Sequence, residues 1–124
     1  MAKALDVAVL DAALDRFATS INVSLCSNQP ANFAGIAAVR LAAGVHTAGA
    51  GNGSFTKSAG DVSGRKITIA ALNNLSITAS GTCNHVAYDD GTTLLCVATC
   101  SPQALTSGGT VSLGTHKIEI QAPV

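Results

Sequence analysis

The sequence contains no tryptophan, and tyrosine and phenylalanine together make up only 3% of it. Charged side chains are also scarce, at 11% of the chain, whereas typical soluble domains carry about 25%. Seven basic and seven acidic residues give a formal net charge of zero. Nucleic acids and anionic membranes both attract proteins with an excess of Lys and Arg. We therefore expect neither a nucleic acid nor a membrane as a partner.

Long apolar runs are missing too, since no stretch reaches the roughly 18 residues that a transmembrane helix needs. The first segment, MAKALDVAVLDAALDRF, does not read as a secretory signal peptide, because Asp6, Asp11 and Asp15 interrupt the region that would have to be apolar. We expect synthesis in a cytoplasm, where cysteines are normally reduced. The length of 124 residues suits one domain, 1–124, with a single core.

The chain is rich in aliphatic residues of small and medium size. Hydrophobic residues make up 48% of it, mostly Ala, Val, Leu and Ile, and Ser, Thr and Gly dilute them. So few charges leave little to keep such a surface solvated or to deter association. This composition suits permanent contact with neighbouring chains, so we expect a subunit of a larger assembly.

Helical periodicity is confined to the beginning of the chain. Apolar residues recur there at spacings of three and four, which is the pattern of an amphipathic helix. They are Val7, Leu10, Leu14, Phe17 and Ile21. The pattern predicts a helix over about residues 5–18, with Asp6 able to cap its start.

From residue 21 to residue 124 the pattern changes to short alternating segments separated by turn residues, which is typical of strands. The segments are INVSLCS, RKITIAAL, LSITAS, CNHVAY, TTLLCVATC, GGTVSL and HKIEIQA. We also interpret GIAAVRLAAGV as a strand, place a turn at residues 73–74, and pair GGTVSL with HKIEIQA. The predicted fold is mainly β (α+β), an antiparallel β-sandwich or barrel-like domain with one N-terminal amphipathic helix.

A glycine-rich segment over about residues 44–61 predicts a long loop, with a short strand near Phe55 as an option. Loops of this length in small domains are often functional. We interpret this one as an arm that reaches a neighbouring subunit. Its AGAGNGSF sequence does not match a phosphate-binding loop, because the Lys and Ser or Thr of that motif are missing.

Three of the four cysteines lie in CNHVAYDDGTTLLCVATC, at Cys83, Cys96 and Cys100. The Asp-Gly pair predicts a hairpin centred on residues 90–91. In that register Cys83 opposes Ala98 and His85 opposes Cys96, so Cys83, His85, Cys96 and Cys100 line one face. A shift of the register by one residue would separate them.

This face leaves several interpretations open. Cys83, His85 and Cys96 could bind zinc, although structural zinc sites usually contain a tight CxxC turn. Disulfides, within or between subunits, could form among Cys26, Cys83, Cys96 and Cys100, but Cys96 and Cys100 are too far apart along one strand to pair with each other. In the simplest interpretation the cysteines are small buried hydrophobes.

Catalytic signatures are weak throughout the sequence. Cys83 and His85 could form a nucleophile and base, but nothing resembling a nucleophile elbow accompanies them. Asp89 and Asp90 are adjacent carboxylates in a position where a turn itself favours aspartate, and the sequence around them lacks the calcium-binding ladder of an EF-hand. We expect no enzymatic activity, no cofactor and no resident metal.

Several motifs, taken in order, resemble a family of small structural proteins of tailed bacteriophages. The short N-terminal helix is followed by VSLCSNQP, SGRK, the hairpin around HVAYDDG, CSPQALTSGGTV and a final KIEI. The resemblance covers most of the chain and includes no catalytic motif. It implies a virion structural protein, made in the host cytoplasm and incorporated into the particle.

Within that family resemblance, the implied role is a capsid decoration, or cement, subunit that stabilises the shell through contacts between subunits. A neck, collar or tail-associated subunit is the alternative, and a receptor-binding module at a fibre tip is another. The last would need aromatic anchors, and the sequence offers only Tyr88, Phe33 and Phe55. The expected partners are the major capsid protein or neck and tail proteins, and we expect a homo-oligomer such as a trimer.

Overall fold

The computed structural model describes residues 5–49, 51 and 54–122. The first helix, α1, spans Val7–Phe17, and the Asp6 side chain caps it by accepting a hydrogen bond from the Ala8 N–H at 2.8 Å. Leu10, Leu14 and Phe17 face the core as the periodicity predicted. Val7, in the first turn of α1, is an exception, because its side chain is 53% exposed. The predicted helix is therefore confirmed, and its apolar stripe is shorter than expected.

Strands make up most of the rest of the chain. Their bounds are β1 Asn22–Cys26, β2 Arg40–Val45, β3 Phe55–Ala59, β4 Arg65–Ile69, β5 Leu72–Ser76, β6 Gly81–Asp89, β7 Leu94–Leu105, β8 Thr110–Leu113 and β9 His116–Ile120. A short helix α2, Ile36–Val39, precedes β2 and follows a 3-10 turn at Phe33–Gly35. The segment that we interpreted as one strand therefore divides into α2 and β2.

The strands form three antiparallel sheets in the described part of the chain. A four-stranded sheet has the order β2-β1-β6-β7, a three-stranded sheet the order β3-β4-β9, and β5 pairs with β8. Buried side chains from the two larger sheets and from α1 meet in one core, which includes Leu14, Val23, Ile67 and Tyr88. Partly buried leucines and a valine of β5 and β8 pack against it. The mainly β, sandwich-like architecture with an N-terminal helix is thus confirmed.

Two details of the strand pairing differ from the prediction. GGTVSL and HKIEIQA do not pair with each other, because β8 pairs with β5 and β9 pairs with β4. The predicted turn at residues 73–74 lies inside β5. Asn74 adopts a positive φ of 58° there and produces a shift in the ladder between Leu72 and Leu75. Asparagine tolerates this conformation in a bulge as well as in a turn, which is why the sequence was misleading.

The glycine-rich segment is more ordered than the predicted loop over residues 44–61. Strand β3 occupies part of it, and Phe55 at its start is fully buried. His46 is 8% exposed, and the Gly49 N–H donates to the carbonyl oxygen of Ala18 at 2.7 Å. His46 and Phe55 therefore pack into the chain's own core, and residues 50, 52 and 53 lie outside the described part. The arm that reaches a neighbouring subunit stays a prediction.

Candidate functional site

The hairpin between β6 and β7 forms where the sequence predicted it, but with a longer turn. Asp90 organises this turn: its Oδ1 accepts hydrogen bonds from the N–H groups of Thr92 and Thr93, and its Oδ2 from Arg16 at 3.0 Å. These bonds hold the pKa of the Asp90 carboxyl well below its usual range. The Asp90 carboxylate therefore stabilises the turn through these hydrogen bonds.

The longer turn changes the register of the two strands. Tyr88 opposes Cys96 and Val86 opposes Ala98, three residues away from the pairing expected for a turn centred on residues 90–91. The shift is odd in number, so it exchanges the two faces of one strand relative to the other. His85 now opposes Thr99, on the side away from Cys96. The predicted face shared by Cys83, His85, Cys96 and Cys100 is therefore wrong in this register.

The ladder between β6 and β7 contains a bulge next to Cys83. Between the pairs His85–Thr99 and Cys83–Gln103, β6 contributes one residue and β7 contributes residues 100–102. Pro102 lies in this bulge, because proline has no N–H with which to continue the ladder. Cys83 itself lies in the core, where it is 4% exposed.

The bulge brings two thiols into contact. Cys83 Sγ and Cys100 Sγ are 3.8 Å apart. Cys96 lies elsewhere on β7, and Cys26 on β1 directs its thiol toward the carbonyl oxygen of Ser24 at 3.6 Å. All four cysteines are in the described part of the chain and all are free thiols. Of the predicted disulfide candidates, the structure thus brings Cys83 and Cys100 together.

The surroundings of Cys83 and Cys26 do not favour a catalytic thiolate, and the cysteines do not form a metal site. Burial raises the pKa of the Cys83 thiol to about 11, with a further contribution from Cys100, and burial raises the pKa of Cys26 to about 11. The possible base, His85, has its Nδ1 2.6 Å from Asn84 Oδ1. Within the described residues no three His, Cys, Asp or Glu side chains are grouped to hold a metal ion. The zinc arrangement of Cys83, His85 and Cys96 is therefore not formed.

A second cluster, of aromatic and imidazole rings, was missed by the sequence reasoning. Tyr88 in the core lies between His46 and His116, with ring centroids 5.9 and 5.5 Å away. Phe17 and Phe55 complete the cluster through edge contacts. Neither ring nitrogen of His46 has a protein hydrogen-bond partner among the described residues. A charged imidazole would therefore be poorly solvated in this position.

This cluster predicts acid sensitivity of the fold. Burial, with His116 nearby, holds the pKa of His46 below its ordinary value of 6.5. Below about pH 6.5 the unfolded chain binds a proton that the folded chain does not, so the stability falls as the pH is lowered. We expect urea denaturation to show a loss of about 1 kcal/mol between pH 7.5 and pH 5.5. The variant His46→Phe should lose much less, and an equal loss in the variant would contradict this assignment.

The charged side chains are concentrated on one side of the fold. Most of them lie on α1, on the sheet β3-β4-β9 and in nearby turns, where several pair with one another, whereas Arg40 on β2 donates to Ser24 Oγ. The ion pairs are Asp11–Arg65 at 2.8 Å, Asp15–Lys57 at 2.5 Å, Asp61–Lys66 at 2.5 Å, Asp61–Lys117 at 2.7 Å and Arg16–Asp90 at 3.0 Å. The SGRK motif therefore supplies partners for carboxylates of its own chain.

The other side carries almost no charge. Residues 67–116 include only Asp89 and Asp90 as charged residues. Asp89 is 1% exposed and accepts hydrogen bonds from Asn22 and the Gly91 N–H. Strands β5, β7 and β8 contain no Lys, Arg, Asp or Glu at all. We call the surface formed by these three strands the uncharged side.

Strand β7 adds an open edge to the uncharged side. It is 12 residues long and ends the four-stranded sheet, with β6 as its hydrogen-bonded neighbour in the described structure. Leu94, Leu95 and Val97 are only partly buried. At the opposite end of the sheet, β2 is covered, because its Leu41 carbonyl accepts hydrogen bonds from the N–H groups of residues 78 and 79.

Comparison with protein families, with curated proteins and with solved structures finds nothing that matches this chain. None of the helices in the described ranges combines the length and apolar character needed to cross a bilayer.

Two signals in the sequence could have improved the prediction of this site. Pro102 inside a strand-like run indicates a bulge, and a bulge changes which residues of the two strands lie opposite each other. Residues 91–116 contain no charged side chain, and they include β7, the longest strand described. This run therefore indicates an uncharged surface. The His46 cluster had no comparable signal, since it forms between residues distant in the sequence.

Proposed function

We propose that the protein is a structural subunit whose uncharged side is covered by other chains in an assembly. More specifically, we propose a virion structural protein of a tailed bacteriophage, acting as a capsid decoration subunit. The observation that carries the proposal is the open edge of β7, a 12-residue strand without a single charged residue. The resemblance of the motifs to phage structural proteins supplies the kind of assembly.

An open edge strand is normally protected. Its free N–H and C=O groups can pair with another chain, and natural proteins discourage this with charged residues, short strands or covering segments. The two edges of the three-stranded sheet follow that rule: β3 carries Lys57, and β9 carries Lys117 and Glu119. Strand β7 relies on Pro102 and its bulge alone. A strand that is covered in its working state has no need of a charge, and a charge buried there without a partner would be costly.

The mechanism of stabilisation follows from mass action. A subunit that binds only the assembled state stabilises that state, and many weak contacts repeated around a shell add to a large total. When the β7 edge of one copy pairs with a different surface of the next copy, each copy is rotated relative to the one before it. The copies form a ring if these rotations add up to a full turn. This geometry suits the trimer or higher ring that we expect around a capsid axis.

Quantitative mass spectrometry of purified particles, from the virus that encodes the chain, tests the proposal. We expect a copy number comparable with that of the major capsid protein for a decoration subunit. A few copies per particle would instead favour the neck or tail alternative. Particles that contain none of this chain would refute the virion assignment.

A further inference from the structure

The thiols of Cys83 and Cys100 lie close enough to suggest disulfide formation, and this chemistry does not depend on the proposed function. The two sulfur atoms are 3.8 Å apart, which is close to van der Waals contact and about 2 Å longer than a disulfide bond. Both side chains belong to adjacent strands and point to the same inner face. Rotation of the two side chains is the movement that would bring the sulfur atoms to bonding distance.

A cavity borders this pair of thiols. It has a volume of about 220 Å³ and lies between β7 and β8. Cys83 and Cys100 line it together with Leu105, Val111 and Leu113. Cys100 is partly exposed whereas Cys83 is buried, so a reagent in solution meets the Cys100 thiol first.

We propose that Cys83 and Cys100 form a redox modification site, which low-molecular-weight disulfides such as oxidised glutathione convert into an intrachain disulfide. The Cys100 thiolate attacks the small disulfide, forms a mixed disulfide and releases one small thiol. Cys83 then loses its proton to water and attacks the Cys100 sulfur, which expels the second small thiol. The two cysteines are oxidised by two electrons, and the small disulfide is reduced by the same two electrons.

The burial of Cys83 determines how fast the disulfide forms, and the redox state of the compartment determines whether it forms. Because burial raises the pKa of Cys83 to about 11, only a small fraction is thiolate near neutral pH, and closure is slow. A reducing cytoplasm keeps the pair as thiols, and an oxidising environment outside the cell favours the disulfide. The bond would tie the β7 bulge to β6 and restrict the unfolded chain between residues 83 and 100.

The test uses the full chain incubated with excess oxidised glutathione and then separated from it. We expect the intact mass to fall by two hydrogen atoms, with Cys26 and Cys96 still open to alkylation after denaturation. Chymotrypsin, which cleaves after Tyr88 and thus between the two cysteines, should release a disulfide-linked pair of peptides. The melting temperature should rise by about 5 °C and return to its starting value with reductant.

Two variants separate this site from general thiol reactivity. Cys100→Ser should abolish the loss of two hydrogens and the rise in melting temperature, whereas Cys96→Ser, on the same strand, should leave both unchanged. The closure rate should increase about tenfold per pH unit from pH 7 to pH 9. A stable glutathione adduct on Cys100, a linkage between two chains, or four thiols unchanged after oxidation would each overturn the proposal.

Discussion

Replacing Thr99 with lysine is expected to exclude the chain from the assembly while leaving its fold intact. Thr99 is exposed near the middle of β7, so the isolated domain can solvate a lysine there. In the assembly the same ammonium group would lie beside a covering chain, and an unpaired charge in an interface costs several kcal/mol. In particles made in cells that supply both chains equally, the Thr99→Lys chain should be about tenfold under-represented or more.

The matched control is Thr56→Lys. Thr56 is also exposed and also lies on an edge strand, β3, but on the charged side of the fold. We expect this variant to be incorporated as well as the unchanged chain, and both variants to melt within a few degrees of it. Equal exclusion of the two variants would indicate that added charge in general impairs assembly. Equal incorporation would remove the β7 edge from the proposed interface.

Gly64→Ala should be the most damaging small substitution in the β3–β4 connection. Gly64 has a φ of +70°, and a Cβ built there would lie 2.0 Å from the carbonyl oxygen of Ile120 at the end of β9. Alanine in this conformation costs about 1 kcal/mol, and the backbone of β9 would also have to move. We expect a loss of about 3 kcal/mol in the free energy of unfolding, measured by urea denaturation.

Two further glycines separate the cost of the positive φ at Gly64 from the cost of its close contact with Ile120. Gly108 also has a positive φ, +91°, but nothing lies within 4 Å of an added Cβ. Gly114 has similarly open space and no positive φ. Gly108→Ala should therefore cost about 1 kcal/mol and Gly114→Ala close to nothing. If Gly64→Ala were no worse than Gly108→Ala, the close approach of β4 to the end of β9 would be contradicted.

The elements that were predicted correctly are those whose signals are local. Leu10, Leu14 and Phe17 repeat with the helical period, and Asp6 precedes them as a cap, so α1 could be located from the sequence. Ile67 and Ile69 alternate with polar residues, and both are fully buried in β4. The Asp-Gly pair located the β6–β7 hairpin for a similar reason. In each case a few neighbouring residues determine the structure.

The predictions that were wrong depend on counts of residues across turns or on distant contacts. The hairpin turn binds the N–H groups of Thr92 and Thr93 through Asp90, and this longer turn changed the register by three residues. The bulge at Pro102 then shifted the register by two more residues, so that Cys83 opposes Gln103. The pairing of β8 with β5 and of β9 with β4 brings together strands that are far apart in the chain, which local patterns do not encode.

Hydrogen–deuterium exchange of β7 tests most directly whether the uncharged side is covered in the assembly. The amides of β7 that do not pair with β6 should exchange at least about tenfold more slowly in intact particles than in the isolated chain. The amides of the charged edge strand β3 should exchange at similar rates in both. Equal exchange of β7 in particles and in the isolated chain would contradict the account.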